Sequence, residues 1–353
     1  MERTQNIHST DSLPIINVQD KETQITLQNV QELFKSYFYN DEYEKCEALL
    51  QHFEEVLPLG KVTDSNGEVL GTDSDEVKAF LASEEVKCVK EDRELFNYFF
   101  EQISPETPWT SYYDEPTRKV KYKYEDGLKL VSCLSEAVIN SPLINVLSLF
   151  GEIDMFKDWF PNVTECRTVN QVTNYRGLFA CKQAMPWPVW PRDMIFKGTG
   201  MFDRKNQACI LVVKSIDEDV PYFGVPAPKT QDGHVRLDIK RGYHYLQKID
   251  ENKTRYIALF NSDPKLTFMP NWFMNFMMTK VCYQMLDLIE TKSKKVPLNE
   301  YGKRIRERTD FYGKIQQMLD DDVGKDEEAP IAGSSSDNEQ QKQELENLVD
   351  RIE

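Results

Sequence analysis

Residues able to do chemistry are few and scattered in this chain. His234 and His244 fall on one expected strand, too far apart along it to share a metal ion, and read as structural. Asp217-Glu-Asp219 crowds carboxylates, but it sits in a loop before Val220-Pro221 and reads as a solvated turn. No Ser or Cys has the partner residues of an activated nucleophile. The seven cysteines, Cys46, Cys88, Cys133, Cys166, Cys181, Cys209 and Cys282, are odd in number and form no CxxC pair. They are expected to be reduced thiols without a zinc site. Three other stretches stand out: Met185-Pro-Trp-Pro-Val-Trp-Pro-Arg-Asp193, Asn261-Ser-Asp-Pro-Lys265 and Met269-Pro-Asn-Trp-Phe-Met-Asn275. Their Trp, Met and Phe content suits enclosure of something apolar, not bond making. No enzyme activity, cofactor or metal is expected.

The elements that must position these stretches follow from periodicity. Residues 1–23 are polar and expected to be disordered. Residues 24–57 read as a helical hairpin, with Val30, Leu33, Phe34, Tyr37 and Phe38 on one helix and Tyr43, Cys46, Leu49, Leu50 and Phe53 on the other. A lone hairpin cannot bury its own apolar face, so it must pack on the rest of the chain or on a partner. A linker and helix occupy 58–85, and the helical pattern runs over 77–104. From Trp109 the period becomes two. Three strands, 109–114, 119–125 and 128–139, form a meander with a turn at Glu125-Asp-Gly127. A helix follows Ser141-Pro142, and a short one covers 154–159. Six more strands are expected at 163–170, 175–185, 193–202, 208–216, 234–249 and 253–261. Gly242 is a candidate bulge. Residues 269–294 form a last, Met- and Phe-rich helix, 296–319 a more polar one, and 320–353 an acidic, mostly disordered tail.

Composition narrows the functional class. The 353 residues carry 40% hydrophobic side chains, enough for a sizeable core, and a net charge of −16. The acidic excess lies in the two ends, around a mildly basic middle. This balance argues against nucleic acid as a partner. No apolar run is long enough to span a membrane, and the start lacks a targeting pattern, so a cytoplasmic location is expected.

The order of strands and helices, with a Pro-rich turn ending in Arg192-Asp193, Asp263-Pro-Lys265, and Pro270-Asn-Trp-Phe-Met-Asn275 opening the last helix, resembles the START (StAR-related lipid transfer) domain. The resemblance covers 86–295. It implies an α+β helix-grip fold: a curved antiparallel sheet wrapped around a long C-terminal helix with an internal apolar cavity. The N-terminal hairpin and acidic tail lie outside it. It further implies a carrier that encloses one lipid, a phospholipid or other two-chain lipid first and a sterol second, with transient membrane contact.

Under this resemblance, strand alternation turns Phe179, Cys181 and Gln183 inward on one strand and Met194 and Phe196 on the next. Leu211 and Val213 follow, then Val235, Leu237 and Ile239, then Tyr256, Ala258 and Phe260. The last helix contributes Phe273, Phe276, Met277 and Val281. Cys181 and Met194 stand where phosphatidylcholine-binding members carry cage aromatics, and Gly198 where sterol-binding members carry a buried arginine. Gln183 is expected to point inward, with Lys182 and Lys197 outward. Arg192 and Asp193 are read as fixing the turn. Trp187 and Trp190 are expected to be buried against the first strands, the alternative being a membrane interface. The rival class is a scaffold that uses the fold structurally and docks protein partners through 24–57 or 320–353.

Overall fold

The computed structural model describes residues 16–21, 23–125, 130–263, 265 and 271–320. Contacts divide the chain into two compact units: residues 1–101 with Val172–Asn174, and 102–171 with 175–353. The sequence places the domain boundary at 86, whereas the second unit begins at Gln102. The expected tail at 320–353 lies almost wholly outside the described residues, as do most of the Glu125–Gly127 turn and Met269-Pro270.

The first unit is helical. Strand β1 (Ile25–Thr26) pairs in parallel with β2 (Val62–Thr63). Thr26 caps α1 (Leu27–Tyr39) by accepting from the Asn29 amide at 3.3 Å. The chain reverses at Asp41, whose φ is +60°, into α2 (Tyr43–Val56). The expected single helix over 77–104 is two, α3 (Asp75–Leu81) and α4 (Glu84–Ile103). This settles how the hairpin hides its apolar face. Phe80 of α3 sets its ring edge-on against Phe34 and Phe53, with centroids 5.7 and 5.3 Å away.

The second unit carries the sheet. Its strands are β3 (Thr110–Glu115), β4 (Arg118–Glu125), β5 (Leu130–Ile139), β6 (Val163–Thr173), β7 (Arg176–Gln183), β8 (Arg192–Asp203), β9 (Ala208–Ser215), β10 (Val235–Arg236), β11 (Asp238–Asp250) and β12 (Lys253–Asp263). Their spatial order is β3-β4-β5-β12-β11-β9-β8-β7-β6, with β10 beside β8. Helix α5 (Leu143–Gly151) and a 3-10 turn (Ile153–Asp158) join the two halves of the sheet. The C-terminal helix lies against β4 and β5 and is built from α6 (Asn271–Phe276), a π segment (Met277–Tyr283) and α7 (Gln284–Ser293).

Two expectations need correction here. The strand read over 234–249 is broken. Val235 and Arg236 pair in parallel with Arg192 and Asp193, and β11 starts only at Asp238. The bulge sits at Lys240, not Gly242, because the register slips between Ile239 and Arg241. The polar helix over 296–319 is also more than a surface appendage. It comprises α8 (Glu300–Glu307), a π turn (Thr309–Gly313) and α9 (Lys314–Asp320). Tyr301, Phe311, Tyr312, Ile315 and Leu319 are buried in the largest core cluster with Leu147, Phe150, Met285 and Ile289. Buried residues spread so thinly over a polar stretch give little periodic signal.

Candidate functional site

Cross-strand register places whole rows of side chains on the sheet face that meets the C-terminal helix. One row reads Gly177, Gly198, Val213, Gly242, Phe260, Cys133 from β7 to β5. The next reads Gly200, Leu211, His244, Ala258, Ser135. A third reads Phe202, Cys209, Leu246, Tyr256, Ala137. None of these positions holds Asp, Glu, Lys or Arg. The first two rows are dominated by small residues, which is unusual where a sheet packs on a helix.

The glycines let large rings lie flat on the sheet. A Cβ on Gly177 would stand 2.8 Å from the Phe179 ring, and one on Gly198 2.9 Å from it. At Gly242 it would meet Val213 at 2.6 Å and Phe260 at 2.7 Å. These rings therefore cover backbone instead of projecting toward the helix.

Three sealed clusters surround this small-residue area. One is the core around Leu147 and Phe150. The second joins Val120, Val131 and Cys133 to Met278 and Cys282. The third joins Val163, Cys166, Cys181, Phe196 and Ile239. Between them lie side chains only half-buried: Phe179, Leu211, Val213, His244, Ala258 and Phe260 on the sheet, and Phe276, Met277 and Val281 on the helix.

His244 belongs to the inner row although the sequence pattern marks it as structural. Its ring packs 4.1 Å from Phe150, and its Nδ1 is 2.6 Å from the Tyr256 hydroxyl. Desolvation lowers its pKa to about 3 and raises that of Tyr256, so both are neutral at physiological pH. Protein encloses the imidazole, yet the residue keeps part of its accessible surface. The two facts agree if that surface faces an interior space. Strand parity, counted back from Ala258, could have found it.

The helix side differs from the expected stripe. The π segment adds a residue to the turn and rotates the remainder of the helix. Met278 and Cys282 are buried there, whereas Met277 and Val281 are half-buried; Phe273 is buried. Cys133 and Cys282 meet thiol to thiol between β5 and the π segment. That hydrogen bond is the leading cause of a raised pKa at Cys133 and a lowered one at Cys282.

The other expected residues fall near the β7–β8 turn. Cys181 is joined to Cys166 by a disulfide, which corrects the reading of seven free thiols. Register could not reveal it, because the two cysteines meet only when β6 lies beside β7. Cys181, Phe196 and Ile239 are sealed in packing, with Met194 and Leu237 against them. Gln183 donates to the Pro161 carbonyl at 3.2 Å, and Lys182 pairs with Glu165 at 2.6 Å. Val235 lies on β10, away from the rows. Asp193 accepts from Arg236 Nε at 2.7 Å and from its terminal nitrogen at 3.2 Å. Buried Arg192 donates to the Trp190 carbonyl, and desolvation lowers its pKa. These bonds hold the turn to β10. Its two tryptophans point away: Trp187 is 92% exposed and Trp190 63%. Their expected burial is overturned, because the intervening prolines carry them off the sheet.

Among the described residues, no group of three His, Cys, Asp or Glu could hold a metal ion, and no helix is long and apolar enough to cross a membrane. No family model matches the chain, and no curated protein matches it by sequence. Solved structures do. Human STARD10 superposes with a TM-score of 0.53 at 17% identity, over 64% of this chain and 88% of that one. The fold is that of a START domain. Human StAR-related lipid transfer protein 5 is similar at a TM-score of 0.49 and 11% identity, over 59% of this chain and 97% of that one. The START fold thus accounts for the helix gripped by an antiparallel sheet, while identities this low speak for the fold alone.

Proposed function

We propose that this chain is a non-enzymatic lipid carrier that encloses one lipid between the glycine-rich rows of its sheet and the π segment of its C-terminal helix. A two-chain lipid is the first candidate and a sterol the second. The observation that carries the reading is the interior belt of half-buried apolar side chains floored by Gly177, Gly198, Gly200 and Gly242. A plain core would fill that space with Leu or Ile. Withdrawing acyl chains from water is worth about 0.8 kcal/mol per CH2, so such a chamber needs no further chemistry to bind. Met277 and the neighbouring Met274 suit acyl chains of varied shape, since thioethers are flexible and polarisable. Exposed Trp187 and Trp190 supply a transient membrane contact, because indoles favour the interface.

Native mass spectrometry of the full chain, followed by lipid extraction, tests the reading. A stoichiometric co-purified lipid is expected, and Met277→Arg is expected to lose it while staying folded. A stable protein that holds no lipid and takes none from mixed vesicles would move the function to the scaffold class, with partners on 24–57 or 320–353. Replacing Trp187 and Trp190 by Ala is expected to weaken vesicle co-sedimentation without changing the bound lipid.

A further inference from the structure

His244 stands in the row of small residues, level with Gly200, Leu211 and Ala258. The Tyr256 hydroxyl, 2.6 Å from Nδ1, is its one hydrogen-bond partner among the described residues. Phe150 lies tilted against the ring at 4.1 Å, and Phe260 meets it edge-on at 5.1 Å. The imidazole is thus held in one orientation by two rings and a phenol.

The proton can be placed by chemistry. A phenol is a better donor than acceptor, and a neutral imidazole nitrogen is a good acceptor. Tyr256 O–H therefore donates to Nδ1, which leaves the imidazole proton on Nε2. That N–H has no protein acceptor among the described residues, and the residue keeps accessible surface in the interior. Unlike the ring nitrogens of His52, the His244 Nε2 is not sealed in packing, so an acceptor can reach it.

We propose that His244 is the specificity-determining residue of the chamber: its Nε2–H donates to an uncharged oxygen of the bound lipid, a hydroxyl or an ester carbonyl. A phosphate or a quaternary amine is excluded from this level. From β7 to β5 the rows beside His244 carry no Asp, Glu, Lys or Arg, and an isolated charge there would lie unpaired in a low-dielectric interior. Charged side chains on this face are engaged elsewhere: Lys248 bonds the Leu319 carbonyl and Glu251, Arg118, opposite Ala137 on β4, pairs with Asp287 and Glu290, and Arg192 lies eight residues down β8 from Gly200, roughly 26 Å along the strand, beyond the packed cluster of Cys181 and Phe196. A sterol would offer its hydroxyl and a two-chain glycerolipid its ester carbonyl, with any charged head group directed elsewhere.

This inference rests on the proposed function, and the test separates the two. Full-length protein with 15N-labelled histidine is loaded from phosphatidylcholine vesicles doped in one arm with cholesterol and in the other with diacylglycerol. Bound lipid is read by native mass spectrometry and His244 Nε2 by NMR. Loading is expected to shift the Nε2 resonance. His244→Phe is expected to capture that lipid about ten-fold less well, the worth of one hydrogen bond of about 1.4 kcal/mol. The arm that shifts the resonance identifies the oxygen. Capture with an unmoved Nε2 resonance would overturn this inference alone. Failure of the wild type to capture any lipid in either arm would overturn the proposed function with it. The resonance is read on wild-type protein, so the outcome stands even if the variant misfolds.

Discussion

The two halves of the C-terminal helical region meet the same unit in opposite ways. From Asn271 to Tyr283 the seating is mixed: Phe276, Met277 and Val281 keep accessible surface beside buried Phe273, Met278 and Cys282, and the backbone from Met277 to Tyr283 runs in π geometry. From Gln284 to Leu319 the chain is sealed. Met285, Leu286, Ile289, Val296, Tyr301, Phe311, Tyr312, Ile315 and Leu319 all join the main core. Buried Glu152, at the end of α5, fastens that half from below. It accepts from Arg304, Arg308 and the Tyr312 hydroxyl, each at 2.7 Å. Arg304 also forks onto Asp154 at 2.7 and 2.8 Å, the leading cause of its raised pKa. The difference teaches that under the proposed carrier function the loosely packed half has a fixed continuation.

The sharpest way to break the contrast is Glu152→Ala. It strands the Arg308 guanidinium and a buried phenol and leaves Arg304 with Asp154 alone, and is expected to cost about 3–5 kcal/mol, read as a fall in the urea midpoint. A loss below about 1 kcal/mol would mean that the network is ornamental. Next comes a matched pair. Ile289→Ala empties the sealed half and is expected to cost about 2–5 kcal/mol, whereas Met277→Ala in the loose half costs under about 1 kcal/mol. Equal losses would erase the distinction, and hydrogen exchange should independently run faster over 277–283 than over 284–293.

Gly198→Val sharpens the comparison from the sheet side. Its side chain must displace the Phe179 ring toward the helix, at about 1–3 kcal/mol. Bound lipid should fall much more than stability does. Undiminished loading would show that the glycines make no room.

A probe that needs no substitution is pH. Burial lowers His244 from 6.5 to about 3. Below pH 6.5 the unfolded chain takes up a proton that the folded chain does not. Stability therefore declines by about 1.4 kcal/mol per pH unit until pH about 3, where the folded form also protonates. Above 6.5 this contribution is flat. His244→Phe should remove that slope between pH 3 and 6.5; identical profiles for variant and wild type would refute the assignment.

Much of the fold was legible in the residues. Alternation in Tyr256, Ala258 and Phe260, and in Leu211 and Val213, assigned those strands to the face on which they lie. The Pro-rich turn, Arg192-Asp193 and the Met/Phe helix fell in the right order. The misreadings share a cause. Val235, Leu237 and Ile239 alternate cleanly, but a bulge at Lys240 and a parallel pairing with β8 divide them, and neither leaves a periodic trace. On the C-terminal helix the π segment uses more than about 3.6 residues per turn, and it buries Met278 and Cys282 where the expected stripe named Met277 and Val281.

By itself the sequence determined the class of fold, the strand faces and the poverty of catalytic groups, because these depend on local periodicity and residue type. Tertiary structure alone decided three things: that Gly177, Gly198 and Gly242 share one row, that Cys166 meets Cys181, and that Tyr256 holds His244 at the chamber. Each depends on which strand lies beside which and in what register. Pairing between residues distant in the chain is set by the burial energy of the whole sheet, not by any short stretch of it.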